Sequence, residues 1–155
     1  MNKTDRGALA EPERSSGRYR FSTPVKVRFN ETDLQGHVNF GHYLFYFDIG
    51  LTEYLEAIGV DYQSMVEDGT DMVYVESHCN YKSPVKFSDL LDVYTRMAEL
   101  GRSSLRFEFE IKAQTDDRLV ATGHIVTVIV DRDTGEPTQV PNRLRAAVEE
   151  YENGP

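Results

Sequence analysis

The sequence is poor in the features that assign a chain to a special class. It has one cysteine, Cys79, in 155 residues, so no internal disulfide can form. That excludes a disulfide-stapled scaffold and fits a reducing cytoplasm. No apolar run reaches the about 18 residues that a membrane span needs. Positive charge is in deficit, with 17 Lys and Arg against 26 Asp and Glu and a formal net charge of −9. Nucleic acid and anionic membrane both require a basic face, so neither is expected as a partner. An anionic small ligand would need a local cluster of Lys and Arg. There is no internal repeat and no low-complexity block. The opening stretch, MNKTDRGALAEPERSSGR, has no apolar centre and does not read as a secretory signal. Residues 1–20 are expected to form a disordered or tag-like tail. The length then suits one domain with a real core over residues 21–155.

What is present is ordinary globular patterning, with 39% hydrophobic and 28% charged residues. PVKVRFN alternates, Val25, Val27 and Phe29 against Lys26, Arg28 and Asn30, which predicts a half-buried strand. ETDLQGH is rich in turn formers. From about Asn39 to Ile58 a helix is expected, because Leu44, Phe47, Leu51, Leu55 and Ile58 recur at helical spacing and Gly59 can stop it. Its first half (Tyr43, Leu44, Phe45, Tyr46, Phe47, Ile49) is apolar nearly all round, which predicts burial on most sides.

Strands are expected over Asp71 to Tyr81, Leu90 to Leu100, Ser103 to Ala113 and Leu119 to Val130. The third alternates most cleanly, Leu105, Phe107, Phe109 and Ile111 against Arg106, Glu108, Glu110 and Lys112. The fourth is apolar on both faces, as a strand inside a sheet should be. Gly101-Arg102 sits where a tight hairpin is needed. DRDTGEP is a turn, and Pro141-Asn142 begins a short amphipathic helix with Leu144, Ala147, Val148 and Tyr151. Four consecutive strands without intervening helices argue against a doubly wound fold. The fold class is therefore α+β: an antiparallel sheet of about five strands curled around one long buried helix, with a short C-terminal helix. One helix leaves the other sheet face partly bare, so self-association is expected.

The junction TDLQGHVNFGHY resembles the D-x-x-G-H-V-N-x-x-x-Y signature of the 4-hydroxybenzoyl-CoA thioesterase family, including its YbgC-like branch. YKSPVKFSDLLDV is similar to the family's second-strand segment and GRSSLRFEFEI to its following hairpin. The resemblance covers roughly Thr23 to Asp131. It implies the hot-dog fold, a homodimer or homotetramer with active sites at subunit interfaces, and hydrolysis of an acyl-CoA thioester or, less often, an acyl-carrier-protein thioester. Asp33 takes the position of the family's catalytic carboxylate. Phe40 takes the position whose backbone N–H binds the thioester carbonyl. Some relatives have Tyr or His there, and Phe offers no side-chain acid. Arg102, Ser103 and Ser104 stand in the hairpin that borders the CoA nucleotide and pantetheine in relatives.

Elementary chemistry gives this junction a role. Thioester hydrolysis needs a delivered nucleophile, a stabilised oxyanion and an apolar place for the acyl group. A helix N-terminus presents unpaired N–H groups and a positive dipole end, so it can serve as the oxyanion hole. Gly36 lets the chain turn sharply ahead of the helix, which allows Asp33 to point back across its first turn. An ionised Asp33 can attack directly or activate water. His37 can hydrogen-bond the thioester region or orient Asp33. Asn39 is a capping candidate, and Gly41 and Tyr43 complete the substrate side, with Tyr43 as core or pocket wall. The bland alternative for Asp33 is a turn or cap residue. His37 and His42 are five residues apart and face different ways, so no metal is expected with Asp33. No cofactor is expected beyond the CoA of the substrate. Lys82, Lys86, Arg102 and Arg106 are the candidates for an anionic tail. A non-catalytic acyl-CoA-binding protein is the alternative from another class. A ligand-sensing regulator would need a DNA-binding module, and the polar residues before Tyr19 do not supply one.

Overall fold

A computed structural model describes residues 18–155 of the chain. The segment 1–17, most of the expected tail, lies outside the described residues. In chain order the elements are β1 (Phe21–Lys26), α1 (His42–Ala57), α2 (Tyr62–Glu67), β2 (Thr70–Tyr81), β3 (Leu90–Leu100), β4 (Ser104–Ala113), β5 (Leu119–Asp131) and α3 (Asn142–Asn153). The strands form one sheet in the order β1-β3-β4-β5-β2, with every neighbouring pair antiparallel. This is the five-stranded antiparallel sheet with a short C-terminal helix expected from the pattern. β5 lies between β4 and β2, inside the sheet, as its two apolar faces require.

The alternation in β4 decides which face carries the core. Leu105, Phe107, Phe109 and Ile111 are at most 1% exposed, and Phe107 packs edge-on against Tyr54 of α1. Phe47 of α1 stacks on Phe109 with ring centroids 4.6 Å apart. The approach is close enough that Gly50 is needed, since a Cβ there would stand 2.5 Å from Thr95 Oγ1 and 2.8 Å from Val93 Cγ1. The C-terminal helix closes the far end. Glu152 Oε2 accepts from the buried Tyr54 hydroxyl at 2.6 Å and from Met97 N at 3.0 Å.

Gly123 of β5 is tighter still. A Cβ there would collide with the His78 carbonyl of β2 and stand 2.5 Å from Phe47 Cε2. Neither backbone nor stacked ring can yield easily. Gly123→Ala is expected to lower stability by about 3 kcal/mol, at the upper end for overpacking. Urea unfolding would show this, and a wild-type midpoint would contradict the packing described.

Three expectations need correction. The helix begins at His42, not Asn39, because the residues before it are spent on a turn. Its first half is not enclosed: Phe45 is 62% and Ile49 39% exposed. One sheet covers only about half of a helix's circumference, and the side bearing Phe45 and Ile49 stays open. The Val25–Val27–Phe29 alternation also stops early. Val27 is buried, but the chain leaves β1 and turns through a short 3-10 helix, Phe29–Glu31, leaving Phe29 75% exposed. One element was not foreseen. α2 is capped by Asp61, whose carboxylate accepts from Ser64 N at 3.1 Å.

The sheet face away from α1 carries a charged ladder. Arg96 Nη1 reaches Glu108 at 2.7 Å, Arg106 Nη2 lies 3.2 Å from His124 Nδ1, and His124 Nε2 lies 2.7 Å from Glu76 Oε2. That hydrogen bond to His124 holds the Glu76 carboxyl below its ordinary range. Tyr19 packs over Tyr94 on this face, its hydroxyl pushed up chiefly by burial.

Candidate active site

Between β1 and α1 the chain makes a narrow excursion closed by main-chain bonds. Thr32 bridges Val38, Asp33 N donates to His37 O at 2.8 Å, and Gly36 N donates to Asp33 O at 2.9 Å. Gly36 has φ +81, a conformation that costs glycine nothing and strains other residues. The Asp33 side chain joins the turn, with Oδ1 accepting from Gln35 N at 2.9 Å. The bland turn reading of Asp33 therefore describes one carboxylate oxygen and leaves the other free of a bond to the described residues. The outgoing limb pairs with the segment after β2: His37 bridges Lys86, and Val38 N donates to Val85 O at 2.9 Å.

The approach to α1 is a second turn, in which His42 N donates to Asn39 O at 2.9 Å. Asn39 caps this turn and not the helix, its Oδ1 accepting from Gly41 N at 2.9 Å. Ahead of those two occupied donors, Phe40 N has no acceptor among the described residues. Its carbonyl accepts from the Tyr81 hydroxyl at 2.9 Å, which ties the turn to the end of β2.

A cleft of about 370 Å³ opens here, lined by Asp33, Gln35, His37, Val38, Phe40, Tyr43, Tyr81, Lys82, Ser83 and Pro84. Asp33, His37, Phe40 and Tyr43 thus share one cavity, whereas Gly36, Asn39 and Gly41 shape the adjoining turns and do not line it. The His37 ring hydrogen-bonds none of the described residues; only the His37 backbone contacts Asp33. Tyr43 packs edge-on against Tyr81 with centroids 5.1 Å apart. Burial pushes the Tyr43 hydroxyl up to about 12, so it stays protonated and polar at neutral pH. Burial likewise pushes the neighbouring Cys79 thiol up to about 11, which keeps it from acting as a thiolate.

Tyr81, Ser83 and Pro84 were missed as cleft residues. The signal was faint: a tyrosine at the last position of a strand, followed by a lysine, a serine and a proline. Arg118 holds that segment, donating to Ser83 Oγ at 2.9 Å and to Pro84 O at 2.8 Å. Of the candidate cations, only Lys82 lines the cleft. Arg106 is engaged on the outer sheet face. Arg102, Ser103 and Ser104 are not brought to Asp33 within one chain. Tyr81 is in register with Ala121 and Ile111, whereas Ser104 pairs with Val128. At about 3.3 Å per residue along β4, the hairpin is on the order of 20 Å from the Tyr81 row.

A carboxylate, an unpaired main-chain donor ahead of a helix and aromatic walls are parts suited to hydrolysis of an activated acyl group. The comparisons point the same way. The family model described as "Thioesterase-like superfamily" matches residues 27–148. The chain belongs to this thioesterase-like superfamily and has its hot-dog fold. It is 32% identical over 111 residues to a putative esterase of Aquifex aeolicus, covering 66% of this chain and 87% of that one. It is 28% identical over 128 residues to the acyl-CoA thioesterase YbgC of Haemophilus influenzae, covering 82% and 93%. A thioesterase of Thermus thermophilus, solved with coenzyme A and Zn, superposes with a TM-score of 0.75 at 29% identity, covering 89% of this chain and 98% of that one.

Proposed function

We propose that the protein hydrolyses an acyl-CoA thioester to the free acid and CoA at the cleft beside α1. The observation that carries this is the pairing of the Asp33 carboxylate with the unpaired Phe40 N–H in one cavity. The thioester carbonyl oxygen accepts from Phe40 N–H, which sits at the positive end of the α1 dipole. Asp33 then acts in one of two ways. It adds to the carbonyl carbon and expels the CoA thiolate, leaving a mixed anhydride that water cleaves. Alternatively it takes a proton from water as that water adds, and the thiolate leaves with the electron pair of the C–S bond. His37 stands at the wall to hydrogen-bond the sulfur or the pantetheine. Phe40, Tyr43 and Tyr81 border the acyl group, and Lys82 offers a cation to the CoA side.

The same reading includes a homodimer. β2 is a 12-residue edge strand with Val73, Tyr74, Val75 and Tyr81 exposed, a surface that a lone protein would ordinarily blunt. Two-fold pairing of β2 edges runs antiparallel, which sets one copy's Tyr74 end beside the other's Tyr81 end. The hairpin carrying Arg102, Ser103 and Ser104 is in register with Tyr74 through Thr127 and Leu105, so it would approach the other copy's cleft. That returns these three residues to a substrate role, in trans. No helix among the described residues is long and apolar enough to cross a membrane, and a cytoplasmic enzyme is the setting proposed.

The test is thiol release from a panel of CoA esters, aliphatic and aromatic, read with a thiol-reactive dye. Turnover of at least one ester well above the uncatalysed rate is expected. A folded protein that releases CoA from none of them would overturn the reading.

A further inference from the structure

Glu31 belongs to the FNETD segment, where a charged side chain would be expected in water, yet it is only 8% exposed. Burying a carboxylate is costly unless its oxygens are hydrogen-bonded. One oxygen is doubly hydrogen-bonded, and the other faces a histidine ring just beyond hydrogen-bond distance. Oε1 accepts from the Tyr46 hydroxyl at 2.7 Å and from Arg28 N at 2.9 Å. Oε2 lies 3.6 Å from His42 Nε2. Tyr46 is fully buried in the core, so its hydroxyl has nowhere else to go, and burial together with this bond pushes that hydroxyl up.

These contacts join three pieces of chain. Arg28 is where the chain leaves β1, His42 and Tyr46 are the first turns of α1, and Glu31 itself opens the excursion that carries Asp33. The Glu31 main chain adds a fourth tie, its carbonyl accepting from Asn39 N at 2.8 Å. Asp33 stands two residues after Glu31, and Phe40 one residue after Asn39. Both ends of the excursion are thus gathered at one buried residue, whose side chain lines no part of the cleft.

We propose that Glu31 is a positioning residue: its buried carboxylate locks the excursion onto α1 and so sets the spacing between the Asp33 carboxylate and the Phe40 N–H. This rests on the thioesterase reading of the cleft. The need for such a lock is physical. Asp33 is solvent-exposed on a tight turn, and misplacement by about 1 Å can cost on the order of 10²-fold in rate.

The experiment compares Glu31→Met, which keeps the volume and removes both acceptors, with Glu31→Gln, which keeps Oε1, and with Tyr46→Phe, which removes the strongest donor. With the best ester of the panel, Glu31→Met is expected to lose roughly 30- to 100-fold in kcat with KM within about threefold, and Gln to restore kcat to within about fivefold. Amide hydrogen exchange at Asp33 and Asn39 should quicken in Glu31→Met while the β4–β5 ladder stays protected. A packing role alone would lower Tm and leave kcat per folded molecule and the exchange at Asp33 unchanged, which would overturn the proposal. So would Gln as impaired as Met. If Glu31→Met does not fold, Tyr46→Phe decides: wild-type kcat with wild-type exchange at Asp33 counts against the lock. If the wild-type protein releases CoA from no ester, the functional reading fails by itself, and the exchange rates still report whether Glu31 holds the excursion.

Discussion

Asp33→Asn lowers kcat for acyl-CoA hydrolysis by about 10³-fold or more and leaves the fold in place. The size follows from removing the carboxylate assigned as nucleophile or base, a role worth roughly 10²–10⁴ when a positioned side chain moves a proton. The fold survives because the turn asks little of the carboxylate. Oδ1 accepts from Gln35 N, and an asparagine Oδ1 does the same. The main-chain bonds of Asp33, its N to His37 O and its O from Gly36 N, are untouched. Binding of CoA should persist, since no charge on Asp33 is needed to hold the nucleotide. The measurement is kcat by thiol release alongside CoA affinity by calorimetry. A folded Asn variant turning over at near the wild-type rate would remove Asp33 from the chemistry and leave it the turn residue that its bond to Gln35 already makes it.

What was legible in the sequence was set by periodicity, and what was not was set by contacts between distant segments. β4 announced itself because its apolar residues fall on the buried face and its charged ones, Arg106, Glu108, Glu110 and Lys112, alternate onto the other. α1 was legible as a helix but not in its exposure. The run from Tyr43 to Ile49 has apolar side chains on all sides, and only the geometry of one sheet against one cylinder reveals that Phe45 and Ile49 lie outside it. Periodicity also misjudged Phe29, because two residues of correct alternation continue past the last ladder bond of β1. α2 is six residues long, too short to show a period. At the cleft, Asp33 and Gly36 carried a local signal, the turn that a left-handed glycine permits. Tyr81 and Pro84 carried only a faint one, because they reach the cleft through the β2–β5 register and the Arg118 clamp. Glu31 was hidden for the same reason: its partner Tyr46 is 15 residues away, and nothing in FNETD marks which acid faces inward.

Phe40→Pro tests the other half of the cleft without touching any carboxylate. Position 40 is the second residue of the turn closed by His42 N and Asn39 O, the place in a β-turn where proline's fixed φ is favoured. Gly41, the next residue, has φ −70 and ψ −19, as such a turn continuing into a helix requires. Proline therefore fits the backbone, costs no existing hydrogen bond among the described residues, and deletes the one N–H in question. It also removes the ring, so Phe40→Ala is the reference, with the donor kept. Relative to that reference, kcat should fall by about 10²–10³-fold, the loss typical of one oxyanion donor, or about 2.7–4 kcal/mol. KM should move little, because the donor matters most when charge builds on the carbonyl oxygen in the transition state. The Tyr81 bond to the Phe40 carbonyl is available to both variants and should hold the turn in each. Equal kcat for proline and alanine, with both folded, would mean that the oxyanion is met by some other donor and that the free N–H ahead of α1 is incidental to the reaction.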